Sequence, residues 1–81
     1  MNPSFEDFAK LKGIHLLKDD IEFIKRMLNL IPYNERRATL QRYSEIWLSG
    51  IVNCDIVYRK QNAGRFAANT YLRELVDGRE G

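Results

Sequence analysis

Between positions 55 and 73, Asp55, Arg59, Asn62, Arg65, Asn69 and Arg73 recur at intervals of four, three, three, four and four. On a helix that advances about 100° per residue, this spacing draws a single stripe. The planar fork of arginine pairs with carboxylate or phosphate, and in a DNA groove with guanine, while asparagine pairs with adenine. Such a stripe is chemically competent toward nucleic acid and equally so toward an acidic protein surface. Phe66 falls on the same polar side, where an aromatic ring can anchor a partner. The candidate partner-binding residues are therefore Arg59, Asn62, Arg65, Phe66, Asn69 and Arg73. A structural reading competes: Phe66 tucks beneath the first helix and the asparagine amides bond to packed neighbours. An ordinary solvated face would more often interleave Glu with Lys at i, i+4, for a few tenths of a kcal/mol per pair. Asparagine is a mediocre helix former, so its repetition asks for a hydrogen-bonding role under either reading.

A second basic cluster, Arg36, Arg37 and Arg42, stands near the start of the third segment. These are candidate nucleic-acid contacts, because a helix-turn-helix places the N-terminal residues of its recognition helix in the major groove. Two features weigh against that motif. The link Leu30-Ile31-Pro32-Tyr33-Asn34 lacks a glycine, and cations at a helix N-terminus oppose the dipole. Catalysis finds less support. The single histidine, His15, sits beside leucines, no nucleophile motif is present, and there is no glycine-rich phosphate loop. Asp19, Asp20 and Glu22 have a sufficient reason to crowd a helix start, where they complement the dipole, and their spacing is not that of a calcium loop. One cysteine, Cys54, and one histidine offer neither a disulfide nor a zinc set. No catalytic residue, metal site or cofactor is expected.

Four apolar segments must position these groups. The first is expected over residues 3–12, with Asn2 as cap, Pro3 in the first turn, Phe5, Phe8 and Leu11 inward, and Gly13 ending it in a left-handed cap. An apolar connector, Ile14-His15-Leu16-Leu17, should lie over the core. The second helix is expected over residues 18–30, with Ile21, Ile24, Leu28 and Ile31 in helical register and Phe23, Met27 and Leu30 widening the face. After Pro32, Asn34 is the expected cap of a third helix that ends at Gly50, with Leu40, Tyr43 and Trp47 inward. The fourth is expected from a cap at Asn53 to about Val76. Ile51 to Tyr58 is rich in β-branched residues, but a lone strand would have nothing to pair with. On the last helix Ile56, Val57, Ala63, Gly64, Ala67, Ala68, Tyr71 and Leu75 share one side, with Lys60 intruding. Gly64 marks a kink or a close helix approach. The expected core is Phe8, Ile21, Ile24, Leu28, Leu40, Tyr43, Trp47, Ala67 and Tyr71.

A length of 81 residues allows one domain, residues 1–81, with the ends 1–2 and 77–81 frayed. The composition, 44% hydrophobic and 30% charged, argues against disorder. No apolar run approaches the roughly 20 residues that span a bilayer, and a lone cysteine suits a reducing compartment, so a cytoplasmic location is expected. Net charge is +2, unevenly spread: residues 1–35 carry five basic and six acidic side chains, and residues 36–73 carry seven and two. A dedicated nucleic-acid module usually has a stronger basic excess. The runs Leu30-Ile31-Pro32-Tyr33-Asn34-Glu35-Arg36-Arg37 and Ala67-Ala68-Asn69-Thr70-Tyr71-Leu72-Arg73-Glu74 resemble pieces of small helical accessory proteins of phages and other mobile elements. The resemblance implies a short protein acting on DNA metabolism, host regulators or host defence, and it transfers no site residue. The expectation is an all-α, small four-helix bundle-like domain with a long C-terminal helix, a non-enzymatic adaptor or regulator that binds another protein. The alternative is DNA or RNA binding through the Arg-rich second half. A thin core with small residues along one helix also leaves room for a homodimer.

Overall fold

The computed structural model describes residues 5–80, with side chains described through Gly78. The chain there forms four α-helices and no strand: α1 (Phe5–Leu11), α2 (Lys18–Leu28), α3 (Tyr33–Val52) and α4 (Lys60–Glu80), the last entered through a 3-10 turn at Val57–Arg59. The expected cap at Asn2 and the frayed residues 1–2 lie outside the described residues. At the other end α4 stays helical to Glu80, past the Val76 at which its apolar pattern stops.

Each boundary has a local cause. Gly13 adopts φ +82°, the left-handed conformation that glycine enters without a Cβ penalty. Its N–H donates to the Lys10 carbonyl and that of Ile14 to the Ala9 carbonyl, the paired bonds of a Schellman cap. Ile14, the residue after the glycine, is buried against the core. At the start of α2, the Asp20 carboxylate accepts the Leu17 N–H at 2.9 Å and satisfies a donor that the helix cannot. Asn34 is not the cap of α3. Pro32, with ψ 140°, takes the cap position two residues earlier, and Asn34 lies within the first turn.

Two glycine and asparagine signals act differently from expectation. Gly50 does not end α3, which continues to Val52, and Asn53 does not start α4, which begins at Lys60. Lys60 reaches back to the end of α3, its ammonium donating to Ile51 O in the last turn at 3.1 Å and to Cys54 O just beyond the helix at 2.7 Å. A cation from the next helix thus closes the previous one, where negative dipole charge favours it. Lys60 is not merely an intruder in an apolar face.

α3 and α4 run antiparallel as a hairpin: Tyr43 meets Asn69 and Trp47 meets Gly64, so an advance along one helix is a retreat along the other. Gly50 and Gly64 stand at the crossing. A Cβ on Gly50 would lie 2.7 Å from the Gly64 Cα, and one on Gly64 would lie 2.5 Å from the Trp47 indole. The small-residue face therefore receives α3 of the same chain. α1 and α2 lie against this hairpin, giving a body 20 Å across its thinnest dimension, two helix layers deep. Phe5 meets Tyr43 edge-on at 6.1 Å between ring centroids, and Tyr43 meets Trp47 at 5.9 Å.

The core centres on Trp47, Tyr43, Ile24, Ile31, Ala9, Ile14, Ala68, Leu72 and Val76. Leu28, Leu40 and Tyr71 pack against it half-buried, and Phe8, Ile21 and Ala67 are also only partly buried. On α4 the inward line is Ala68-Leu72-Val76 rather than Ala67-Tyr71. The helix packs against α3 on one flank and against α2 on the other, so the line between the two flanks is the most buried. No helix among the described residues is long and apolar enough to cross a membrane.

Candidate functional site

The Arg/Asn stripe divides into an inward and an outward part. Arg65 is inward. Its Nε donates to both carboxylate oxygens of Asp20 at 2.9 Å, and the side chains are only 19% and 5% exposed. One guanidinium nitrogen donates to the His15 carbonyl at 3.1 Å and another to the Asn62 side chain. Its central carbon lies 5.1 Å from the centre of a Trp47 ring. Asn69 is also engaged internally: its Oδ1 accepts the Tyr43 hydroxyl at 2.6 Å. Burial, with Asp20 nearby, pushes the Tyr43 phenol well above its ordinary pKa of 10, and the Arg65 charge only partly offsets this. The expectation that Arg65 and Asn69 belong to a solvent-facing docking stripe is thereby corrected. The packed-neighbour reading holds for these two, because α2 and the Ile14–Leu17 connector engage Arg65 and the Tyr43 hydroxyl of α3 engages Asn69.

Gln61 completes the interior network. Its Oε1 accepts the Trp47 indole N–H at 3.0 Å and the His15 backbone N–H at 3.1 Å, while its Nε2 donates to the Gly13 carbonyl at 2.8 Å. Among the described residues no buried side-chain polar atom lacks a partner. Neither Gln61 nor Asp20 stood out in the sequence as a tie between helices. The one signal available was local: Gln61 lies one turn before Gly64, where the hairpin closes most tightly.

What remains outward on α4 is Asn62, Phe66 and Arg73, with Arg59 in the preceding turn. Phe66 is 73% exposed and does not tuck beneath α1. Tyr58, Asn62 and Phe66 follow at i, i+4 and i+8, and Val57 and Tyr58 are 78% and 79% exposed. Two cations without an ion pair among the described residues flank this strip. Ion pairs among the described residues join Arg42 to Glu45 and Arg65 to Asp20; Arg59 and Arg73 have no such partner. Arg59 lies over Tyr58 at 5.6 Å and Arg73 over Phe23 of α2 at 5.4 Å. The face thus carries an aromatic and aliphatic centre with cationic ends.

The basic cluster on α3 is dispersed. Arg36 turns back to the Ile31 carbonyl at 3.0 Å and lies over Tyr33 at 5.6 Å. Arg42 pairs with Glu45 at 3.2 Å, and Arg37 is exposed. Elsewhere an apolar groove of about 210 Å³ opens between α1, α2 and α3, lined by Phe5, Ile21, Ile24, Leu28 and Leu40 with Glu6 and Lys25. It is below the size usual for small-molecule sites. Among the described residues no group of three or more His, Cys, Asp or Glu is placed to hold a metal ion. In comparisons with known protein families, with characterised proteins and with solved structures, nothing matches this chain.

Proposed function

We propose that the protein is a non-enzymatic helical adaptor or regulator, and that it binds another protein through the outward face of α4. The observation that carries this reading is Phe66, a large aromatic left 73% exposed in the first third of a long helix. Val57 and Tyr58 extend the apolar strip and Arg59 and Arg73 bound it. Exposed aromatics with arginine at their edges have the composition of interface anchors.

Direct nucleic-acid binding is the weaker reading. Part of the basic excess that suggested it is engaged within the chain: Arg65 by Asp20, Arg36 by a backbone carbonyl and Lys60 by two more, while Arg42 pairs with Glu45 on the surface. A homodimer on the small-residue face is likewise disfavoured, since α3 occupies that face; self-association would need the Phe66 side instead. The decisive experiment is affinity capture from the native host with wild type and Phe66→Ser, each with and without nuclease. A protein retained by wild type, lost with Phe66→Ser and indifferent to nuclease supports the proposal. Retention that depends on nucleic acid, or that survives Phe66→Ser at unchanged melting temperature, overturns it.

A further inference from the structure

Beside the Phe66 strip, two arginines from different helices converge on one ring. Arg26 of α2 and Arg73 of α4 place their guanidinium carbons 5.9 Å and 5.4 Å from the centre of Phe23. Both are exposed, and neither has a carboxylate within ion-pair distance among the described residues. A guanidinium resting on an aromatic face is held in orientation by the ring and keeps its N–H edge free for a planar acceptor. Interior charge in this protein is matched: Arg65, one helix face away, has its carboxylate in Asp20. The cluster of Arg26, Phe23 and Arg73 has the same chemistry with no carboxylate in ion-pair contact among the described residues.

We propose that this cluster receives a carboxylate of the bound protein, so that the partner of the Phe66 face is an acidic segment. The inference rests on the protein-binding reading above and specifies its chemistry. Arg73 follows Phe66 by two turns, about 10.5 Å at the helical rise. The partner then presents a large apolar side chain and, about 10 Å away, one or more Asp or Glu side chains. That separation is two turns of helix or three residues of extended chain. Arginine pairs with carboxylate through two parallel hydrogen bonds, which lysine cannot reproduce. A peptide suits the surroundings better than a nucleic-acid duplex. Asp19, Glu22 and Asp77, each one helical turn in sequence from Phe23, Arg26 or Arg73, are exposed, and a duplex strand, with one charge for about every 3.4 Å of helix axis, sets fixed phosphates against them. A peptide can set its acids at the two guanidiniums and neutral residues elsewhere.

A displayed library of random 16-residue peptides, selected on the intact immobilised protein, tests this directly. The expected pool combines excess Asp and Glu with large apolar residues. Its members should lose about tenfold or more in affinity on Arg26→Gln/Arg73→Gln and on Phe66→Ser. The conservative pair Arg26→Lys/Arg73→Lys, which keeps charge and loses the planar fork, should recover only part of the loss. Circular dichroism melts confirm that each variant is folded. A pool without acidic excess, a pool that binds the double Gln variant as well as wild type, or no enrichment at all overturns the inference. Dependence on Phe66 without dependence on the arginines sinks the carboxylate site and leaves the protein-binding reading standing, whereas dependence on neither removes both. A 20-base-pair duplex that binds more tightly than the selected peptides, through the same two arginines, also overturns it.

Discussion

Arg65 joins four parts of the chain at one side chain: α2 through Asp20, the connector through the His15 carbonyl, α3 through the Trp47 ring and its own helix through Asn62. Truncating it strands the Asp20 carboxylate, which is 5% exposed. Breaking a buried pair from one side typically costs about 3–5 kcal/mol, and the partial exposure of Arg65 puts Arg65→Ala near the lower end. Chemical denaturation should show the loss, and the double variant Asp20→Leu/Arg65→Met should be less destabilised than the single losses added together. Tyr43 makes a second prediction. Its phenol is held neutral by burial, so its folded pKa lies above the ordinary value of 10, while the unfolded chain regains that ordinary acidity. The contribution to stability is complete below about pH 10 and declines as pH rises above it. Alkaline titration followed at 295 nm should show Tyr43 ionising only together with unfolding, and Tyr43→Phe should delete that step. The sequence showed Arg65 and Asn69 as chemically competent but not their direction. Periodicity places side chains around a helix, and only the second flank of packing decides which polar groups turn inward.

At the scale of the helices, the glycines separate by what surrounds them. Gly64→Ala would bring a Cβ to 2.5 Å from the Trp47 indole and 2.6 Å from the Trp47 carbonyl oxygen. Overpacking of that kind costs about 1–3 kcal/mol, outweighing the roughly 1 kcal/mol that alanine gains over glycine within a helix. Gly78→Ala meets nothing within 4 Å in the same helix. It should raise stability by up to about 1 kcal/mol, and thermal melts of the two variants should move in opposite directions. The apolar periods made the existence of all four helices and the cap at Gly13 legible. They did not reveal the ends of α3 and α4. Gly50 looks like a stop signal in one dimension, yet its role is to let Gly64 approach, a constraint from a residue 14 positions away. Asn53 looks like a start signal, but the chain stays irregular from Cys54 to Ile56, where the Lys60 ammonium satisfies the Ile51 and Cys54 carbonyls.

Across the whole molecule, α3 and α4 form the frame, and α1 and α2 are fastened to it at a few places: the Asp20–Arg65 pair, the Gln61 bond to Gly13 and the Phe5–Tyr43 ring contact. A unit attached in this way opens at lower free energy than the frame it rests on. Native-state hydrogen exchange should find the α1 and α2 amides opening below the global unfolding free energy, with amides around Trp47 and Leu72 protected to the limit. Asp20→Asn should widen that gap. The attachments share a neighbourhood with consequences for observation. The chain has one tryptophan, and its indole donates to the glutamine that holds the connector while lying under the arginine that holds α2. Its fluorescence therefore reports docking of the first two helices rather than folding at large. A variant in which α1 and α2 detach should shift the emission to longer wavelength while the α3–α4 hairpin keeps its far-ultraviolet helix signal, so one intrinsic dye distinguishes a loosened molecule from an unfolded one.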